Sequence, residues 1–506
     1  MPAVSRRRAL QTLLTSAVAP AVLRGGQRRA GDKPNLLFLW TDQQRADTLA
    51  VYGNRRFRVP TLNRLAAESV VFERCYVTQP VCTPSRSSVM TGLWPHQNGC
   101  VANNIPLKAE FKTLPELLGD SAYRAAYMGK WHLGDEVFPQ RGFDPWVSIE
   151  DNYIQHYSPG RDRRARSSYH HFLVGLGYKP DESEGTFSRE FASRRPLEHT
   201  KALFLAQKAS EFIYANRRQP WILYVNFLEP HPPYFGPFDD LHGEAEAPLP
   251  ANFPGLTVDR EPRHYATLRQ KQRTVIERKI DWPETRLRAP DGEGRWREAL
   301  AQLNRHYAGL CSQVDFAVSR ILWTLESTGQ ADNTIIVFTS DHGEMGGAHS
   351  LIQKGVFYEE AMRVPMLLRV PFLHSRQVSI GEPVSHIDLV PTLLELMGAR
   401  HRAELPGESW TALWEGRSRR EDHVVVEWTD WEGGPHGRAV ISPDGWKLAL
   451  YQTDNCLLFD LRRDPLELTN LYHHSAAQDV VRRLRRKLEH WQRQQGDSLE
   501  WKDATS

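Results

Sequence analysis

Cysteine is scarce in this chain of 506 residues, with five in all, at positions 75, 82, 100, 311 and 456. No two of them have the spacing of a Cys-x-x-Cys pair, which excludes a zinc ribbon or a thioredoxin-like redox motif. Leaving Cys82 aside, Cys75, Cys100, Cys311 and Cys456 allow one or two disulfides but imply none, and buried free thiols are the expectation. An excess of one charge is also missing: 64 basic residues against 61 acidic ones give a formal net charge of +3. Such a balance leaves no electrostatic footprint for nucleic acid. No apolar run approaches the ~20 residues that a membrane-spanning helix needs, so an integral membrane protein is not expected. No internal repeat is visible. The length is sufficient for a large core and for more than one domain.

What is present begins with continuous apolar runs that each end in a polar cluster. Asn35 to Trp40 leads into Thr41-Asp42-Gln43-Gln44, and Tyr127-Met128 into Gly129-Lys130-Trp131-His132. Trp221 to Phe227 leads into Leu228-Glu229-Pro230-His231, and Thr334 to Phe338 into Thr339-Ser340-Asp341-His342-Gly343. Apolar runs without polar alternation read as strands buried on both faces of a parallel sheet. Ligands of such sheets bind beyond the carboxyl ends of the strands, so the four polar clusters are expected to converge on one edge.

A fifth segment, Cys82-Thr83-Pro84-Ser85-Arg86 continuing to Thr91-Gly92, supplies the nucleophile candidate. Pro84 suits the first helical position, and an N-terminal turn there would favour an anion through its free N–H groups and the helix dipole. Arg86 adds a fixed positive charge. This run resembles the signature of the type I, formylglycine-dependent sulfatases of the alkaline-phosphatase-like superfamily. The resemblance extends over the four strand-end motifs and covers residues 33 to 475. It implies an α/β fold, with a large mixed, mostly parallel sheet sandwiched by helices and a smaller C-terminal α+β subdomain of antiparallel strands and one helix. The activity it implies is hydrolysis of a sulfate ester, with sulfated carbohydrates as the expected class, through a covalent sulfo-enzyme.

The roles carried by the resemblance fall on named residues. Cys82 would be oxidised to formylglycine by a formylglycine-generating enzyme during maturation, with Arg86 orienting the hydrated aldehyde. Asp42, Gln43, Asp341 and His342 would hold one divalent metal ion, calcium first, with magnesium or manganese as alternatives. Here the chain departs from the commonest pattern, which has Asp at the Gln43 position and often Asn at the His342 position. Lys130 and Lys354 would neutralise sulfate oxygens. His231 or Lys354 would protonate the leaving alcohol, and His132 would touch the second formylglycine hydroxyl. His349 stays outside this set as a weak candidate. Two other functions remain open: a phosphonate or phosphate ester hydrolase with the same nucleophile, slightly favoured by Gln43 and His342, and a binding protein that grips sulfated glycans without catalysis.

The remainder of the chain is read by pattern. Ser5-Arg6-Arg7-Arg8 ahead of the apolar stretch Thr12 to Leu23 is a charged region, a short hydrophobic core and an Ala-x-Ala site, resembling a twin-arginine export signal. Residues 1–31 are therefore expected to be a leader and the protein periplasmic or secreted. A catalytic domain is expected over 32–405 and a C-terminal subdomain over 406–506. Helices are expected at Thr61–Glu68, Leu114–Leu118, Thr200–Ala215, Ile387–Gly398 and Val480–Gln494, and short strands near Val424, Trp446 and Leu457. Weak periodicity at 147–200 and 236–300 suggests insertions over the active-site edge. In the first of these, Arg161, Arg163, Arg164 and Arg166 lie among Tyr157, Tyr169, His170 and His171, a set that could border a polyanionic glycan.

Overall fold

A computed structural model describes residues 33–254, 259–279, 292–373, 376–399, 404–429 and 434–501. The leader expected at 1–31 lies outside the described residues. The large sheet is built from β1 (Asn35–Asp42), β2 (Val70–Tyr76), β3 (Arg124–Gly129), β4 (Trp146–Ser148), β5 (Trp221–Pro230), β6 (Thr334–Ser340), β7 (Arg363–Val364), β8 (Met366–Arg369) and β9 (Val378–Ser385). Their order is β4-β3-β5-β1-β6-β8-β2-β7, with β9 also paired to β2. The ladders β3–β4, β3–β5, β1–β5, β1–β6 and β2–β9 are parallel, whereas β8 runs antiparallel to both β6 and β2. The sheet is thus mixed and mostly parallel, as the family resemblance implied; the apolar runs by themselves pointed to the parallel part only.

The apolar runs sort into two faces by simple alternation. Leu37 and Leu39 of β1 enter one core cluster, while Leu36, Phe38 and Trp40 enter the other. On the first face lie helices α1 (Pro60–Ala67), α3 (Lys201–Ala215) and the long α4 (Gly292–Ser327). On the second lie α2 (Cys82–Thr91) and α5 (Leu389–Leu396). A strand covered on both faces has no solvated side, and this is why its sequence does not alternate.

Most expected elements fall within a few residues of their observed bounds. The second insertion differs. It contains a helix at Arg263–Lys279 and the start of α4, a 36-residue helix that periodicity did not indicate. Its buried positions include Gln302, His306, Ser312, Gln313 and Asp315 alongside the apolar ones, so its apolar stripe is diluted. Asp315 caps α1, its carboxylate accepting from the backbone N–H groups of Thr61 and Leu62 at 3.2 and 2.7 Å. All five cysteines are free thiols, and among the described residues no helix is long and apolar enough to cross a membrane.

A second, antiparallel sheet follows: β10 (Val424–Trp428), β11 (Gly437–Ile441), β12 (Trp446–Tyr451) and β13 (Leu457–Asp460). One face carries α6 (Gln478–Gln495), through Val481, Leu484, Leu488 and Trp491. The other packs on Val356 to Met362 of the large domain. Its alternation is clean, with Val425, Val440 and Leu448 on one side and Val424, Val426 and Ala439 on the other.

Five strands present their carboxyl ends on one edge. β1 ends at Asp42, β3 runs into Lys130, β5 into His231 and β6 into Asp341, while β2 leads through a short loop to Cys82. The approach of β3 to β5 depends on Gly129. It has φ 121°, and a Cβ there would lie 1.9 Å from the Asn226 carbonyl oxygen. Gly129→Ala should therefore cost more than about 2 kcal/mol of stability, measured by denaturant unfolding, whereas an alanine at Gly160, which has open space around it, should cost less.

Candidate active site

Helix α2 is buried along its whole length and starts at Cys82, after an extended Val81. Pro84 is consequently the third helical residue and not the first, still within the turn whose N–H groups lack intrahelical partners. Cys82 Sγ lies 3.2 Å from His342 Nε2 and 3.9 Å from Asp42 Oδ1. Ligand atoms of Asp42, Cys82, Asp341 and His342 all fall within 4.8 Å of one another. Four residues from three separate chain segments thus meet at one point.

Arg86, one turn further along α2, ties this cluster together. Its Nη2 donates to Asp42 Oδ2 at 2.8 Å and its Nε to Asp341 Oδ2 at 2.9 Å. Its Nη1 donates to the Lys130 carbonyl and to Asn226 Oδ1, both at 2.8 Å. Lys130 Nζ adds a second cation on Asp42 Oδ2 at 2.6 Å. Burial alone would raise the Asp42 carboxyl, but Lys130, Arg86 and Lys354 together hold it well below the usual carboxylate range. Burial and Asp42 push the Cys82 thiol up, and Lys354, Lys130 and His342 outweigh them, leaving it lowered to about 7.

Two histidines have their tautomers set by carbonyl oxygens, which can only accept. His342 Nδ1 donates to the Gly343 carbonyl at 2.9 Å and its Nε2 faces Cys82; burial opposes its protonation, but the Asp341 charge raises its pKa above the ordinary value. His231 Nδ1 donates to the Pro232 carbonyl at 2.8 Å. Burial keeps His231 neutral, its pKa well below the ordinary value despite the Asp42 charge. His132 is likewise pushed well down, by burial and then by Lys130 and Arg86. Lys354 Nζ donates to Gln43 Oε1 at 2.6 Å, while Gln43 Nε2 donates to Tyr234 OH at 2.9 Å and to Glu344. Gln43 thereby borders the cluster with its amide engaged on both sides, and its backbone N–H donates to Asp341 Oδ1 at 3.0 Å.

Sequence reading passed over several residues that hold this arrangement. Asn226 stood in plain view as a polar residue within an apolar strand, which is a signal in itself. Glu136 accepts from the backbone N–H groups of Trp131 and His132, both at 2.7 Å, and fixes the turn that aims His132. Tyr234 and Glu344, joined at 2.5 Å, buttress Gln43; neither lies in a motif that periodicity or spacing could flag. His349 is buried and stacked on Tyr358 at 3.8 Å, away from this set of contacts.

In the arginine loop, Arg161 pairs with Asp135 and lies over Phe138 at 4.7 Å, close to the His132 turn. Arg164 projects into solvent. Tyr157, Tyr169 and His170 are buried, and Tyr169 OH donates to the His199 carbonyl at 2.7 Å. These rings serve the insertion's own packing and leave no flat faces for a sugar. Tyr153 from the same insertion does reach the site, stacked on His132 at 4.3 Å and bonded to Arg189 at 2.9 Å.

Residues 34–399 match the Sulfatase family and residues 347–494 match the family described as N-sulphoglucosamine sulphohydrolase, C-terminal. With most of its length covered and this site at the carboxyl edge, the chain belongs to the sulfatase family, and it is a sulfuric ester hydrolase of alkaline-phosphatase-like fold. It is 29% identical to the uncharacterized sulfatase YidJ of Escherichia coli, over 88% of this chain and 85% of that one. It is 25% identical to an N-acetylglucosamine-6-O-sulfatase of Bacteroides thetaiotaomicron, over 96% of this chain and 90% of the relative. Among solved structures, a phosphonate monoester hydrolase of Silicibacter pomeroyi superposes with a TM-score of 0.75 at 23% identity, over 92% of this chain and 96% of that one.

The arrangement makes Arg86 the test of the cluster. Arg86→Met should destabilise the fold by about 3–5 kcal/mol, because it leaves two buried carboxylates short of their partner. Arg86→Lys keeps the charge but loses the fork. It should stay folded by circular dichroism and lose at least about tenfold in kcat/KM on an aryl sulfate.

Proposed function

We propose that the protein hydrolyses a sulfate ester of a carbohydrate, using formylglycine formed from Cys82 and one divalent cation. The observation that carries this reading is the convergence of Asp42, Cys82, Asp341 and His342 within 4.8 Å, flanked by Arg86 and Lys130. The donor chemistry fits a hard cation once the thiol is replaced. As it stands, a thiol and an imidazole dilute two carboxylates; an oxygen at position 82 would leave an oxygen-rich set with a single nitrogen, which suits calcium better than the present one. Gln43 would join as a ligand by exchanging its bond to Lys354. Bound there, the cation supplies Lewis-acid polarisation of the ester and lowers the pKa of the hydroxyl on the modified residue.

The chain's own residues would do the rest. Arg86 and Lys130 already balance Asp42 and Asp341, so Lys354 and a cation would give the pocket a positive excess that holds a sulfate monoanion. Lys130 and Lys354 would face its oxygens. His231 has its Nδ1–H committed to Pro232, so its Nε2 would pass a proton to the leaving alcohol only after taking one up, and Lys354 would be the donor while His231 stays neutral. A glycan is favoured as substrate because the Bacteroides relative bears the name of an N-acetylglucosamine-6-O-sulfatase. Export through the twin-arginine route, after modification by a formylglycine-generating enzyme, is part of the same proposal. A second reading, phosphonate ester hydrolysis, draws on the nitrogen ligand His342 and on the fold shared with the Silicibacter enzyme.

A substrate panel separates the two. Protein produced with a formylglycine-generating enzyme should turn over sulfated saccharides and aryl sulfate faster than aryl phosphonate. Mass spectrometry should find an aldehyde at residue 82, exhaustive chelation should remove activity, and Cys82→Ala should lower kcat at least about a thousandfold with Tm little changed. Full activity with an unmodified thiol would sink the formylglycine assignment, and a reversed panel would favour the phosphonate reading.

A further inference from the structure

His132 has left-handed backbone at φ 59°, and so does Asn104 beside it, at φ 66°. Non-glycine residues in that region are uncommon, persist only where their surroundings hold them, and gather at functional sites. A closed ring of contacts holds both. Thr83 Oγ1 donates to the His132 carbonyl at 2.9 Å, and the Asn104 backbone N–H donates to Thr83 Oγ1 at 3.2 Å. Asn104 Oδ1 then lies 2.9 Å from His132 Nε2, closing the ring. Asn103 Oδ1 accepts from the Thr83 backbone N–H at 3.0 Å, so the segment 103–104 grips the residue that follows Cys82. Tyr153 stacks on the imidazole face at 29° and leaves the ring little freedom to turn.

The contact between Asn104 and Nε2 decides where the imidazole proton sits. An amide oxygen only accepts, so Nε2 carries the ring proton. Burial, Lys130 and Arg86 keep the ring neutral, and a neutral imidazole with Nε2–H has its lone pair on Nδ1. That Nδ1 is buried and without a hydrogen-bond partner in the protein. An unpaired buried acceptor is destabilising, and that cost is removed when a hydroxyl reaches it. Cys82 offers a single S–H, whereas a hydrated aldehyde at that position would carry two hydroxyls.

We propose that Asn104 is a positioning residue of this hydrolase: by accepting the Nε2 proton it fixes the tautomer of His132 and presents Nδ1 as the pocket's unpaired base. When Nδ1 takes a hydroxyl proton, the O–H bond's electron pair stays on oxygen. The imidazolium so formed keeps Nε2–H on Asn104 Oδ1, whose partial negative charge stabilises it. The catalytic consequence rests on the proposed function, whereas the tautomer does not.

Full-length protein labelled with 15N-histidine gives the direct test, with His132→Gln identifying the His132 signals. The expected spectrum has a protonated Nε2 and an unprotonated Nδ1. Asn104→Leu should mix or reverse the tautomers and lower kcat on an aryl sulfate about 10- to 100-fold, with KM little changed. Asn104→Asp accepts the same proton, so it should retain Nε2–H and recover most of kcat. A wild-type His132 protonated on Nδ1 overturns the proposal, because the amide would then face the ring through its nitrogen. A folded Asn104→Leu that keeps both tautomer and kcat overturns it as well. If Asn104→Leu does not fold, the wild-type tautomer and the Asn104→Asp kinetics decide. A wild-type protein with the Nε2–H tautomer that attacks no sulfate ester counts against the proposed function and not against the Asn104 assignment.

Discussion

Two carboxylates buried without solvent need a counter-charge of fixed geometry, and Arg86 supplies it to both Asp42 and Asp341. An ion pair taken out of water is weak evidence for stability, since desolvation offsets most of the attraction. Its value here is positional. The guanidinium is planar, bears donors on three nitrogens and is rooted in a buried helix, so it fixes the carboxylates of β1 and β6 against the first turn of α2. Its remaining nitrogen reaches the carbonyl of Lys130 and the side chain of Asn226, which brings β3 and β5 into the same frame. Each strand's polar terminus is thereby referred to one side chain.

That frame works only because backbones approach each other closely around it. Gly129 meets the carbonyl of Asn226, and Gly343 would place a Cβ 1.9 Å from the carbonyl of Glu360. Gln43 and His132, both next to strand ends, have positive φ. Strain of this kind persists where the surroundings over-determine the backbone, and here hydrogen bonds to Asp341, Glu136 and Thr83 do so. The C-terminal sheet contributes from the other side. A Cβ on Gly355, the residue after Lys354, would come within 3.0 Å of the Trp428 ring at the end of β10. Lys447 of β12 pairs with Glu359 at 3.0 Å and with Glu467. The smaller sheet therefore sets where the Lys354 segment can lie, although none of its residues belongs to the cluster of Asp42, Cys82, Asp341 and His342.

Much of the large sheet was legible in the sequence because parallel strands covered on both faces must be apolar throughout. Asn35 to Trp40 and Thr334 to Phe338 carry that signature within a few residues. The C-terminal strands, also covered on both faces, were legible as short apolar runs such as Val424 to Val426 and Leu457 to Phe459, separated by turns. Helix α4 was not legible: it is buried around much of its circumference and uses Gln302, Gln313 and Asp315 as structural partners, so no single stripe stands out. The arginine loop misled in a different way. Tyr157 and Tyr169 have the composition of a binding surface, yet they are consumed by packing inside the insertion.

For the site, the sequence by itself determined which polar groups stand at strand ends and at the start of a helix, because those positions follow from local periodicity and from the chemistry of Cys82 to Gly92. It named Asp42, Cys82, Arg86, Lys130, His132, His231, Asp341, His342 and Lys354 without giving any distance between them. Tertiary structure alone decided their partners: that Gln43 gives its oxygen to Lys354, that Asn226 and Glu136 hold the cations and the turn, and that Asn104 meets His132. Those choices depend on contacts between residues far apart in the chain, up to 311 positions for Gln43 and Lys354. Local propensity constrains φ, ψ and burial but carries no term for which distant side chain arrives, and that is settled only when the strands are placed side by side.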